Sequence, residues 1–328
     1  MTKNESETIN ESMVANAIPR RLPGAHKWSV GGLVIVAGGP TYIGAAALSA
    51  MAAGRAGAGI VQVAVPRGAM GAVASLVPEA VFLPLRDGEP GPAARAAVEA
   101  IQPKLERSRA MLVGPGLGDD EHAEALLAAI FGFASVARPS AVGFQRRSAE
   151  PSAVAQGESI VSTERPTVVD ADGLNWLAKH PDWFERVPAN SLVLTPHPGE
   201  MSRLLDEKTE QVLDDPVKTA TDAARKWRHV VVLKAGPTVA SDGERTIVAD
   251  DAPVSLATAG SGDVFSGFIA GLIAQNVAPL DAVAIAMFAG SRAARAIERR
   301  VGVLGLVASD LPIAMAEALA PLESQSAS

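Results

Sequence analysis

Ala257-Thr258-Ala259-Gly260-Ser261-Gly262-Asp263-Val264-Phe265-Ser266-Gly267-Phe268 is the stretch on which the fold turns. Small residues run directly into an apolar segment, and the pattern predicts a helix over residues 263–275. Gly260 and Gly262 let the backbone approach a ligand closely. Unpaired amides at such a helix start, with the dipole behind them, make an anion site, and Gly260, Ser261 and Gly262 are its expected loop. A phosphoryl group in transfer would find its charge stabilised there. Asp263 stands at the mouth of that site. A carboxylate beside a phosphate is electrostatically awkward unless it acts, and the act it suits is taking a proton from a substrate hydroxyl. In isolation the same letters also describe an Asp that merely caps a helix. What surrounds them decides between the two.

Working backwards along the chain, apolar runs end repeatedly in Gly, Asp, His or Lys. His229-Val230-Val231-Val232-Leu233 predicts a strand leading into Lys234-Ala235-Gly236-Pro237-Thr238. Lys234 can meet a phosphate as a point charge, Gly236 permits a tight turn and Thr238 offers a hydroxyl. An ordinary strand-to-hairpin turn has the same composition. Ser191-Leu192-Val193-Leu194 leads into Thr195-Pro196-His197-Pro198-Gly199-Glu200. The prolines restrict the chain and so fix the direction of the imidazole. His197 can then hydrogen-bond a ligand and Glu200 can hold water on a magnesium ion; a capped helix start with Glu200 favouring the dipole is the alternative. Thr167-Val168-Val169 leads into Asp170-Ala171-Asp172, where strand alternation would send the two carboxylates to opposite faces and leave Asp172 little part as a direct ligand. Asn175 is expected to orient its neighbours. Ala110-Met111-Leu112-Val113 runs into Gly114-Pro115-Gly116-Leu117-Gly118, followed by a helix over 121–131. Leu33-Val34-Ile35-Val36-Ala37 is broken by Gly38-Gly39-Pro40, and an Ala-rich helix over 44–54 precedes the strand Ile60-Val61-Gln62-Val63-Ala64-Val65. Strands alternating with helices predict an α/β fold with a mostly parallel central sheet flanked by helices on both faces. Ligands in such folds bind beyond the carboxyl ends of the strands, where these polar residues lie.

The bulk properties agree. In 328 residues, 48% are hydrophobic but only 4% aromatic, so Ala, Val and Leu must fill the core, which suits helices on a parallel sheet. A net charge of -7 without a basic cluster argues against nucleic-acid binding. The absence of cysteine excludes disulfides and thiolate chemistry and fits the cytoplasm. The N-terminus has no apolar signal core, and no apolar run is long enough for a bilayer, so no membrane role is expected. Residues 1–24 read as a flexible arm, 25–322 as a single domain and 323–328 as a tail, with 134–166 as a long mobile insertion.

Assembled, these segments resemble the carbohydrate-kinase-like dehydratases of hydrated NADH and NADPH, within the ribokinase-like enzymes. The resemblance begins at His26-Lys27, includes Gly44-Ala45-Ala46-Ala47-Leu48-Ser49-Ala50 and Ala56-Gly57-Ala58-Gly59, and covers about residues 24–320. The His-Pro-Gly-Glu segment discriminates, since related small-molecule kinases carry Asn at the place of His197. The resemblance implies a ribokinase-like fold and a reaction in which ADP phosphorylates the S-form of the hydrate (NADHX or NADPHX). Loss of phosphate then restores NAD(P)H and leaves AMP. By the same resemblance, Ala45, Gly116, His197 and Asp263 contact the hydrate, while Lys234, Ala235, Gly236, Pro237, Thr238 and Gly262 contact the nucleotide. Asp263 is the implied base. Mg2+, a homotetramer and pairing with a separate epimerase are implied as well. The chain departs from the pattern at Ala259, where the first of two glycines is usual, at Val254-Ser255-Leu256, where an Asn is common, and at Trp28, which replaces Gly. Two other functions compete: an ATP-dependent kinase of a small alcohol, of hydroxymethylpyrimidine or hydroxyethylthiazole type, and a non-catalytic nucleotide-binding regulator. His197 argues against the first and Asp263 against the second.

Overall fold

A computed structural model of the protein describes residues 6–85, 87–133 and 159–325. Among them, ten strands form one sheet: β1 (Glu7–Thr8), β2 (Gly32–Val36), β3 (Ile60–Pro66), β4 (Val81–Leu85), β5 (Ala110–Val113), β6 (Thr167–Val169), β7 (Leu192–Leu194), β8 (Val230–Leu233), β9 (Thr238–Ser241) and β10 (Thr246–Ala249). Their order is β1-β10-β9-β8-β7-β6-β5-β2-β3-β4. β9 runs antiparallel to both its neighbours, and every other pair is parallel. The expected α/β architecture is therefore present.

The strands β2, β5, β7 and β8 are apolar along their whole length because both faces are covered. Successive side chains point to opposite sides. Leu33, Ile35, Leu112, Val168, Val193 and Val232 pack under the helices Ile43–Arg55, Ser261–Ile273, Pro279–Val301 and Leu311–Gln325. Val34, Val36, Met111, Val113, Val169, Leu194 and Val231 pack under Pro90–Leu105, Glu121–Ile130, Asp172–Ala178, Pro198–Leu205 and Pro216–Trp227. One contact fixes the site. Gly267 and Gly271, one turn apart, lie on the backbone of Ile43–Arg55: a Cβ on Gly271 would stand 2.6 Å from the Ala53 carbonyl oxygen, and one on Gly267 would strike Ser49. Without side chains at these positions the two helices touch backbone to backbone. That contact carries the start of Ser261–Ile273 to the carboxyl edge of the sheet.

Three expectations need correction. Residues 6–24 are not a loose arm: β1 pairs with β10, Glu7 opposite Ile247, and the helix Glu11–Ala17 is capped by Asn10, whose Oδ1 accepts the Met13 amide at 2.9 Å. Val14 and Ile18, one turn apart, supply the apolar face that buries this helix, and Val14 has no exposed surface. At the other end, the helix Leu311–Gln325 runs through the start of the expected tail and buries Leu322. Of the expected insertion, residues 134–158 lie outside the described residues. Residues 159–166 are fastened to the body: Ile160 and Val161 are buried, and the Ser159 hydroxyl donates to the Ile130 carbonyl at 3.1 Å. No described helix is long and apolar enough to cross a membrane.

Candidate active site

The helix Ser261–Ile273 starts from Gly260, whose φ of 88° places it in the left-handed region that glycine occupies without strain. A side chain there would press on Leu48 and Ala308. Ala259, the departure from the two-glycine pattern, is not among the positive-φ residues, so its methyl group meets no backbone restriction. The Ser261 hydroxyl ties the loop down by donating to the Leu256 carbonyl at 2.8 Å. The amides of Gly262 and Asp263, in the first turn, are left to face the site. The Asp263 carbonyl accepts from the Ser49 hydroxyl at 3.1 Å, which joins this turn to the helix Ile43–Arg55.

Charge converges just in front of these amides. Lys234 at the end of β8 donates from Nζ to Asp170 Oδ1 at 2.8 Å, and Asp170, at the end of β6, is only 1% exposed. A Cβ on Gly262 would lie 3.4 Å from the same Nζ, so the ammonium borders the anion loop. Burial opposes the charge on Lys234, but Asp170, Glu200 and Asp263 together hold its pKa above the ordinary value. Burial, and after it the negative charge of Asp170, push the Asp263 carboxyl up to about 7 against the pull of Lys234. Burial likewise pushes Glu200 up to about 7, with Lys234 opposing and Asp170 adding to the rise. One cation thus stands among three carboxylates, two of which titrate near neutrality.

Of the two roles that the sequence left open for His197 and Glu200, the structure shows the capped helix start. His197 Nδ1 accepts the amides of Gly199 at 3.0 Å and Glu200 at 3.3 Å, and Glu200 Oε2 accepts the His197 amide at 2.8 Å, a reciprocal cap on the helix Pro198–Leu205. Two amides donating to Nδ1 leave the ring proton on Nε2, 3.5 Å from Glu200 Oε1. Burial, then Lys234 and Arg203, keep the imidazole below its ordinary pKa, so it is a neutral donor with an exposed face. The cap therefore fixes the tautomer that a ligand meets.

Asp170 and Asp172 do diverge, but through a turn and not through strand alternation. Ala171 between them has φ 49°, a conformation few side-chain-bearing residues adopt. Asp170 turns in to Lys234, while Asp172 Oδ2 accepts the Gly118 amide at 2.8 Å. Asn175 orients a neighbour as expected, since its Oδ1 accepts from Arg203 Nε at 3.0 Å.

The other expected residues fall into two groups. Lys234, Ala235, Gly236, Thr238, Ser261, Gly262 and His197 line one cavity of about 490 Å³; Pro237 is not on its wall. Thr238 spends its hydroxyl on the Ala235 carbonyl at 3.0 Å. Ala45 and Gly116 meet one another elsewhere: a Cβ on Gly116, φ 64°, would lie 2.8 Å from the Cβ atoms of Ala45 and Tyr42. Ala45 is one turn before Ser49, which holds the Asp263 carbonyl. Sequence reasoning missed the far wall of the cavity, where Met287, Leu311 and Met315 arrive from two later helices with no local motif to mark them.

The family model described as NAD(P)H-hydrate dehydratase matches residues 33–139 and 148–315. The chain is 37% identical over 295 residues, 89% of its length, to the bifunctional NAD(P)H-hydrate repair enzyme Nnr of Salinibacter ruber. It spans about half the length of the curated relatives it matches, 49% in that case and 50% for the relative from Moorella thermoacetica. In fold it is similar to the Bacillus subtilis ADP/ATP-dependent NAD(P)H-hydrate dehydratase co-crystallised with ATP/Mg2+ and soaked with CoA, with a TM-score of 0.73 and 20% identity over 97% of this chain and 100% of that one. A ribokinase-like superfamily protein from Enterococcus faecalis aligns with a TM-score of 0.72 and 19% identity over 99% and 98%. With the family model matching most of its length, the chain belongs to the NAD(P)H-hydrate dehydratase family.

Proposed function

We propose that this protein dehydrates the S-form of hydrated NADH or NADPH at the expense of ADP, releasing NAD(P)H, AMP and phosphate. The observation that carries the proposal is Asp263: a carboxyl titrating near 7, in the first turn of a helix whose amides face the same space, beside the Lys234 ammonium. A base of that pKa is half ionised at neutral pH and still basic enough to take a proton.

The hydroxyl of the hydrate rests against Asp263, which removes its proton as the oxygen attacks the β-phosphorus of ADP. The bond from that phosphorus to the bridging oxygen breaks, and AMP leaves with the electron pair. The amides of Gly262 and Asp263 and the positive end of the helix hold the charge of the migrating group. Lys234 borders the same loop, steadied by Asp170. The new phosphate ester is a better leaving group than hydroxide. Its C–O bond breaks with the electron pair leaving on phosphate, which carries off the proton from the adjacent ring carbon, and the double bond of the nicotinamide ring returns. Neutral His197 presents Nε2–H to the hydrate, and Ala45 with Gly116 supplies a wall without bulky side chains. Lys234, Ala235, Gly236, Thr238 and Gly262 border the cavity for the adenine nucleotide.

The described residues contain no cluster of three or more acidic or histidine side chains arranged around a metal. Magnesium suits such a site when the nucleotide carries it, since it keeps several waters and binds through phosphates and few carboxylates. Glu200 is the carboxylate that would hold one of those waters, and the ion would supply neutralisation of phosphate charge. We further propose a cytoplasmic homotetramer that acts together with an epimerase of the hydrate.

The test is the near-ultraviolet absorbance of reduced nicotinamide after adding protein, magnesium and ADP to prepared NADHX. A rise that requires ADP and is lost in Asp263→Asn supports dehydration. A stable phosphate ester in place of that rise supports a kinase, and nucleotide binding without either product supports a regulator.

A further inference from the structure

A second cavity, of about 610 Å³, is lined by Tyr42, Gly118, Asp172, Asn175, Lys179 and Arg203. It borders the reacting centre. Tyr42 abuts Gly116 beside Ala45, the charge of Asp172 is felt by Asp263, and that of Arg203 by both His197 and Glu200. The nucleotide cavity already accounts for ADP, so this space is available to the rest of the molecule whose hydroxyl meets Asp263.

Its charges are unevenly committed. Lys179 pairs with Glu124 at 3.5 Å, and Glu124 also accepts from the Trp176 indole at 2.8 Å. Asp172 is held by the Gly118 amide. Asp119 and Asp206 add further negative charge to the wall. Arg203 is different: its Nε donates to the neutral amide oxygen of Asn175 at 3.0 Å, and among the described residues no carboxylate pairs with it. That bond orients the guanidinium and leaves its two terminal nitrogens as a fork, the geometry that grips a phosphate. An anionic ligand entering this acid-lined cavity has one place to put its charge.

We propose that Arg203 binds the diphosphate of the hydrated dinucleotide, while the neighbouring carboxylates face its ribose hydroxyls. This rests on the dehydratase reading and makes Arg203 the residue that selects a dinucleotide over a smaller hydrate. The experiment compares wild type, Arg203→Met and Arg203→Lys on NADHX and on the hydrate of reduced nicotinamide riboside, which lacks the diphosphate. The preference for the dinucleotide, as a ratio of kcat/KM values, should fall roughly ten- to a hundredfold in Arg203→Met, the worth of a charge-assisted pair of hydrogen bonds, and recover in part in Arg203→Lys. If Arg203 merely steadies His197 and its helix, both substrates lose alike and the ratio stays put, which overturns the proposal. Binding of NADH and of reduced nicotinamide riboside, followed by their fluorescence, gives the same ratio without turnover. Should wild type process neither hydrate, the dehydratase reading fails, and the binding ratio still decides whether Arg203 holds a diphosphate.

Discussion

Replacing Asp263 with Asn removes a negative charge at a place where burial and Asp170 penalise it, and this should move stability and turnover in opposite directions. The carboxyl titrates at about 7 in the folded protein against an ordinary 3.8. A folded-state pKa above the unfolded one means that the native protein holds the proton more tightly. As pH rises through the unfolded value, ionisation begins to oppose folding, and the opposition is complete above the folded value. A rise of about three units corresponds to about 4 kcal/mol as an upper bound. The side chain keeps some contact with solvent, which lowers the figure to about 1–3 kcal/mol. Asp263→Asn should therefore be more stable than wild type by that amount at about pH 8 and equal to it at about pH 4, where both carry a neutral group. Turnover should fall on the order of a hundredfold or more with the loss of a general base. Wild-type turnover should climb as pH passes through about 7 and level off above it, because the carboxylate is the working form. Urea unfolding at the two pH values and the absorbance assay read both quantities. A variant that loses stability at the higher pH, or keeps near-normal turnover, refutes the reasoning and returns Asp263 to a capping role.

Three further changes probe separate parts of the molecule. His197→Ala should raise KM for the hydrate more than for ADP, seen by titrating each substrate in turn; a larger effect on ADP would move the imidazole to the nucleotide side. Ala171→Gly relieves a positive φ of 49° and should raise the free energy of unfolding by about 0.5–1 kcal/mol; a loss of stability in urea would mean that the methyl group packs usefully. Among the described residues neither ring nitrogen of His229 finds a partner; the ring stacks on Trp183 and its pKa is pushed down to about 4 by burial and then by Arg228. Its depressed pKa makes the folded state refuse the proton, so stability is full above the unfolded value of 6.5 and is lost as pH falls towards the folded one, by about 3 kcal/mol at the limit. His229→Phe should remove that acid step, and an equal pH dependence of unfolding in both proteins would contradict the account.

The strands β2, β3, β5, β6, β7 and β8 were legible because burial on both faces writes them as apolar runs, interrupted only by Gln62 in β3 and Thr167 in β6. β4 was not, since it lies at the sheet edge, carries Pro84 and leaves Val81 exposed. β9 and β10 hid for another reason: Ser241 and Thr246 bond one another at 2.9 Å and are buried, so two polar letters stand where apolar ones mark a strand. In the candidate site, His197, Lys234, Gly262 and Asp263 each stand in a short motif, and the fold brings them near one another. Asp170 was seen but not assigned, because its partner Lys234 comes much later in the chain and only the sheet order makes them neighbours. Arg203 carried no signal, as its meaning depends on which acids near it are already paired.

The first strand has a consequence in time. β1 can form only against β10, and Val14 finds its cover on the helices Pro279–Val301 and Leu311–Gln325, with Arg292 reaching Glu11 at 2.9 Å. A ribosome adding about 5–20 residues per second needs roughly 10–50 s between making Glu7 and making its partner Ile247. Through that interval β1 and the helix after it wait while the later strands assemble. Their polar composition, which disguises a docked segment as a loose one, leaves few apolar side chains, Val14 and Ile18 among them, to be covered late.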